Sequence, residues 1–300
     1  MNGTGTVFDI GYQRYTGVRE GRMRALKSVY KDGIRIALGL GRGPRAKALP
    51  FFFLGVLSMI SLVMAIIAGA ADRLGGEGTA DKMQLPAHSD FYGIASMILY
   101  VFAAVVAPEL LCSDRRQRVI NLYLVRPLTG SDYVTARWFA FLTIMLVATW
   151  LPQTILFLGL SAGDPDPMKY LQQHWLDIPR YLAAGLAISA YLTSIALLVA
   201  SFTTRRAYAA VFLVGLFAIV TPFTIGMSQE VKGTMGQWMS MFTLTNIPLH
   251  VSDVIFGKIS EMTEHELAKE FGNTVLVIWY FLWTTIMSAA LWYRYRRLTP

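Results

Sequence analysis

Apolar residues along this chain fall into long blocks, with the polar residues gathered in the gaps between them. Six blocks carry no charge or almost none, at about 49–71, 91–111, 137–160, 181–203, 207–228 and 272–293. Each is close to the roughly 20 residues that a helix needs to cross the hydrocarbon core. The pattern predicts an all-α membrane protein with six transmembrane helices. Residues 1–48 then form a cytoplasmic arm and 49–300 the six-span domain. The first block begins only at 49, after a long polar stretch, so it is not expected to be a cleavable signal peptide.

The stretch ahead of the first block has its own helical period. Met23, Leu26, Tyr30, Ile34 and Ala37 recur at three- and four-residue steps over roughly 18–40 and make one apolar stripe. Arg24, Lys27, Lys31 and Arg35 flank it, where long stems reach toward lipid phosphates. This predicts an amphipathic N-terminal interfacial helix that collars the first span, ahead of a soluble helix docked on a partner. Gly39, Gly41, Gly43 and Pro44 should end it, and Pro50 suits the first turn of span one. Pro152 and Pro222 predict bends in spans three and five. Residues 203–206 read as a hairpin between spans four and five.

Residues 235–257 are apolar, with Asp253 as their one formal charge. Asn246-Ile247-Pro248 interrupts any continuous helix there. A helix–break–helix that dips into the outer leaflet and returns fits best, giving a re-entrant outer segment between spans five and six. Thr263 and Glu266 would cap an acidic helix at about 264–270.

Composition agrees with this plan. Charged residues are 15% of the chain, against about a quarter in soluble domains, and the mean hydropathy is +0.45. Charge sets the orientation. With the N-terminus inside and the spans alternating, 20 of the 27 lysines and arginines fall on the cytoplasmic side, an N-in/C-in arrangement. A seventh crossing at 235–257 would put Arg294, Arg296 and Arg297 outside. The formal charge of +8 therefore reads as topology and contact with anionic lipid. Nucleic-acid binding fits poorly, because the basic residues are dispersed among membrane segments.

The segment 109–137, between spans two and three, is the most structured of the gaps. Ser113 and Asp114 are good helix N-caps, and 115–125 has room for about three turns. Arg115, Arg116 and Arg118 open that helix, Pro127 stops it at Arg126, and Thr129-Gly130-Ser131 reads as a turn and cap before span three. A short cytoplasmic helix lying on the membrane, with its arginines in water, is expected here, ahead of a plain basic loop. Glu109 adjoins the span end, where it is either solvated or paired with one of those arginines.

Other chemistry is thin. Cys112 is the single cysteine, and His88, His174, His250 and His265 have no ligand spacing. Met227, Met235, Met239 and Met241 read as packing before soft-metal contact. No catalytic or metal-binding set is expected. The spans lack charges at mid-depth, unlike many proton- or sodium-coupled carriers, which favours energy supplied from outside the chain. Thr149, Gln153, Thr154, Thr193, Ser194, Thr221 and Thr284 suit helix–helix hydrogen bonds or an amphipathic substrate.

In order, Asp114, Arg115, Arg116, Leu122, Leu124, Arg126, Pro127, Leu128 and Arg137 resemble the region between spans two and three of ABC-2 type (ATP-binding cassette) transporter permeases. Val119-Ile120 and Thr129-Gly130 stand where Gly-Thr and Ser-Arg are common in that family. The six-span plan, the interfacial helix and the re-entrant segment are similar too. The resemblance implies a coupling helix seated in a cleft of a separate ATP-binding subunit. Asp114, Arg115, Arg116, Arg118, Asn121 and Arg126 would form that interface, with Glu109 as a coupling or structural acid. This chain has no G-x-x-x-x-G-K-[ST] loop, so ATP and Mg are expected in a partner, and this subunit is not expected to be an enzyme. Two copies of the ATP-binding subunit, a second permease chain (identical or related), export as the activity and a bacterial inner membrane are implied likewise. A membrane scaffold or sensor without transport, and a secondary transporter, stay open at this stage.

Overall fold

Among the described residues, six helices are long and apolar enough to cross a membrane: Ala46–Gly75, His88–Arg116, Gly130–Gly163, Asp177–Phe202, Arg206–Ser228 and Phe271–Arg296. The computed structural model describes residues 21–41, 43–75, 79–83, 85–117, 128–164, 166–231, 233–257 and 267–297. Among them the regular elements are all helices: α1 (Arg22–Ala37), α2 (Pro44–Gly75), α3 (Thr79–Lys82), α4 (His88–Arg116), α5 (Gly130–Gly163), α6 (Pro167–Gln173), α7 (Asp177–Phe202), α8 (Arg206–Glu230), α9 (Thr234–Ser240), α10 (Asn246–Phe256) and α11 (Leu267–Arg296). The described chain is a multi-pass helical membrane protein by length and composition.

Helix α7 is the centre of the bundle, packed by α4, α5, α10 and α11. Its buried face is rich in small and hydroxylated residues, including Ala184, Gly185, Ser189, Thr193 and Ala196, which let neighbours approach closely. Helix α2 meets α5 through glycines. A Cβ on Gly69 would sit 2.9 Å from the Gly163 Cα, and one on Gly159 would sit 2.5 Å from the Ala65 Cβ. Arg73 closes that end by donating to the carbonyls of Ala162 and Gly163, as a cation suits a helix C-terminus. The outward faces of α2, α8 and α11 keep Phe52, Ile66, Val211, Ile219, Ile278 and Phe281 exposed, as lipid-facing positions should be.

Several expectations change on contact with the structure. Helix α1 packs on span three, with fewer contacts to span two, rather than collaring span one. Its buried line is Val29, Gly33 and Ala37, and Met23 stays exposed. The face is thus turned by about one residue, because Gly33 lets Ala140 and Arg137 of α5 come against the backbone. Pro44, not Pro50, opens α2. Pro50 lies within the helix and cannot donate to the Ala46 carbonyl. Gly39 lies against that carbonyl: at φ +66° it takes a left-handed turn, and a Cβ there would be 2.4 Å from the Ala46 oxygen.

The outer break falls at 241–245, ahead of the predicted place, and Asn246 begins α10 with Pro248 in its first turn. Tyr100 donates to the Thr245 carbonyl, and hydroxyl pairs Thr221–Thr245 and Thr224–Thr243 fasten the break to α8. Burial pushes the His250 imidazole of α10 down to about 4. Thr263 and Glu266 lie outside the described residues. Pro152 and Pro222 sit inside α5 and α8, and the turn between α7 and α8 occupies 203–205.

Candidate functional site

Helix α4 does not stop where the sequence suggested. It runs through Ser113 and Asp114 to Arg116, so neither residue is an N-cap. The Ser113 hydroxyl donates back to the Glu109 carbonyl at 2.6 Å, and this bond within the helix removes its pull toward a cap. Asp114 is turned inward, and what turns it is an arginine from the next span.

That arginine is Arg137, in the second turn of α5. Its side chain is 0% exposed, and its Nη2 meets the Asp114 carboxylate at 2.6 Å and the Asp32 carboxylate of α1 at 3.0 Å. Tyr133, one turn earlier, donates its hydroxyl to the same Asp114 oxygen at 2.7 Å. Its ring lies 5.5 Å from the guanidinium centre and 5.8 Å from the ring of Tyr295 on α11. Nη1 makes a long contact with the Val29 carbonyl, and the buried Nε has no hydrogen-bond partner. One cation thus joins α1, α4 and α5, with α11 packed on its tyrosine. Gly33 is what admits it: a Cβ there would lie 3.2 Å from Nη1.

The local fold delivers α5 to this point. Thr129 caps the helix, accepting from the Asp132 amide at 3.3 Å, while the Asp132 carboxylate accepts from the Thr129 amide at 3.0 Å. Asp132 also receives Arg22 of α1, at 2.8 and 3.0 Å. The turn and cap expected at 129–131 are present, and span three begins there rather than at 137.

More arginines tie the remaining helix ends. Arg115 donates to the Ser201 carbonyl near the end of α7, and Arg294 of α11 reaches the same oxygen at 3.1 Å while lying 4.4 Å from the Phe202 ring centre. That carbonyl, in the last turn of α7, has no helical donor of its own. Glu109 pairs with Arg206 at the start of α8, at 2.5 Å. Arg116 is exposed. Arg118, Asn121 and Arg126, together with the rest of 118–127, lie outside the described residues.

Of the residues expected at a coupling interface, then, Asp114 is buried, Arg115 is half-buried on a carbonyl, and Arg116 faces outward. Sequence reasoning missed Asp32, Tyr133, Arg206 and Tyr295 as members of the cluster. Asp32 carried a signal, as the one acid on an otherwise basic helix.

No family model and no curated protein matches the chain. Among the described residues no group of three or more His, Cys, Asp or Glu could hold a metal. Cys112 is buried, with its thiol near the carbonyls of Ala200 and Thr203.

Proposed function

We propose that this chain is the membrane-spanning permease subunit of an ATP-driven exporter of the ABC-2 kind, oriented N-in/C-in, with the arginine-tied end of the bundle facing the cytoplasm. ATP and Mg belong to a separate P-loop subunit that bears on 109–137. The observation that carries this reading is Arg137. It fastens the end of span two, through Asp114, to the start of span three, and both to α1 through Asp32.

In the sequence, residues 118–127 connect these two fastened points. A push on that segment would therefore move spans two and three and the interfacial helix together, not merely bend a loop. Arg116, exposed at the end of α4, is offered to the ATPase along with Arg118, Asn121 and Arg126. Asp114 serves from inside, as the anchor of the segment. Its buried carboxylate is the partner of Arg137, and a contact surface would need it outside.

The helix–break–helix of α9 and α10 would dip into the outer leaflet. The exposed apolar faces of α2, α8 and α11 leave room for lipid and for a second permease chain. A photoreactive residue at Asn121 tests the coupling site inside the cell. Crosslinking to an ATP-binding chain is expected, reduced when Arg116 is changed to Glu. Crosslinks to lipid alone would reject the coupling role.

A further inference from the structure

Where α1 turns into α2, the structure leaves a cavity of about 280 Å³. Its wall is apolar, formed by Ile36, Ala37, Leu49, Pro50, Val105 and Val106, and the Glu109–Arg206 pair stands at its edge. The Gly39 turn and the Pro50 position, which together shape the elbow, also line it. Pocket-bound molecules usually occupy spaces of about 300 Å³ or more, so this one accommodates part of a ligand rather than a whole one.

The surroundings say which kind. Arg35 and Lys47 flank the lining residues Ile36 and Ala46, are exposed, and make no ion pair among the described residues. Arg206 is 46% exposed and commits Nη1 to Glu109. The one acid lining the cavity is already paired, and no Asp or Glu occurs between Arg35 and Lys47, so the exposed cations leave the elbow itself with an excess of positive charge. An apolar slot under a cationic rim matches a molecule with an anionic head and a hydrocarbon tail.

We infer that the elbow binds one acidic phospholipid, with its phosphate on Arg35, Lys47 and Arg206 and the upper part of an acyl chain in the slot. The lipid would seat α1 beside the bundle, near the arginine cluster. This inference rests on the reading that this end of the bundle lies at the cytoplasmic interface. It does not need an ATPase, and its test uses the chain alone.

The delipidated full chain in detergent would be titrated with phosphatidylglycerol, phosphatidylcholine or inorganic phosphate, and bound adducts read by native mass spectrometry. One phosphatidylglycerol per chain is expected, with neither of the other probes retained. Arg35→Gln with Lys47→Gln, both exposed and therefore safe for folding, should weaken retention about 30-fold, at roughly 1 kcal/mol per basic residue near an anionic lipid. Val105→Trp, which fills the slot, should abolish retention with the charges intact. Equal retention of phosphatidylcholine, binding of phosphate alone, or unchanged retention in the charge variant would each overturn the inference.

Discussion

A guanidinium with no exposed surface loses its hydration, and Arg137 recovers that loss through the carboxylates of Asp114 and Asp32, the Tyr133 ring and the Val29 carbonyl. Removing one member of such a buried pair typically costs about 3–5 kcal/mol, because the other is left charged and unpartnered. Arg137→Met should therefore destabilise the detergent-solubilised protein by about that amount in a denaturant titration. Asp32 is different: its side chain is 44% exposed, so water can replace it, and Asp32→Asn should cost about 1 kcal/mol or less. Asp114→Asn combined with Arg137→Met should fall short of additivity by more than about 1 kcal/mol. Strict additivity would mean that the two residues do not act as a unit.

At the scale of elements, α1 docks on α5 through a residue with no side chain. Gly33→Leu would drive atoms into Ala140 and the Arg137 guanidinium. Its expected effect is local: faster amide exchange over 22–37, with spans four and six unchanged. Helix α10 carries a pH-dependent contribution. His250 is held near 4 by burial, against 6.5 when unfolded, so the unfolded chain takes up a proton first as pH falls. Stability is complete above about 6.5 and declines between there and about 4, by on the order of 3 kcal/mol. His250→Gln should flatten that decline in a pH series of thermal unfolding. A slope unchanged by the substitution would show that another group is responsible.

The elements were legible in unequal measure. The six spans stand out because a charge inside a long apolar window is expensive, and the windows avoid it. Caps were legible where one turn decides them, as at Thr129, although its capping partner Asp132 was not singled out. The end of α4 was not, because Asp114 meets Arg137 at 23 residues' distance, and Asp32 meets it at 105. A local preference for capping lost to a long-range ion pair that no local pattern displays. The rotation of α1 was hidden for a related reason: a glycine counts as neutral in an apolar stripe, yet here it is the point of closest approach.

For the molecule as a whole, the arginines at one end tie α1, α4, α5, α7, α8 and α11 to their neighbours, so the segment 118–127 is attached to a connected frame. That is the property a motor subunit would exploit. Purification of the native complex in mild detergent, followed by mass spectrometry of the partners, tests it most directly. A stoichiometric P-loop ATPase is predicted, retained by the wild-type chain and lost when Arg116 and Arg118 are both changed to Glu. An intact, correctly folded chain recovered without any ATP-binding partner, under conditions that preserve other membrane complexes, would contradict it.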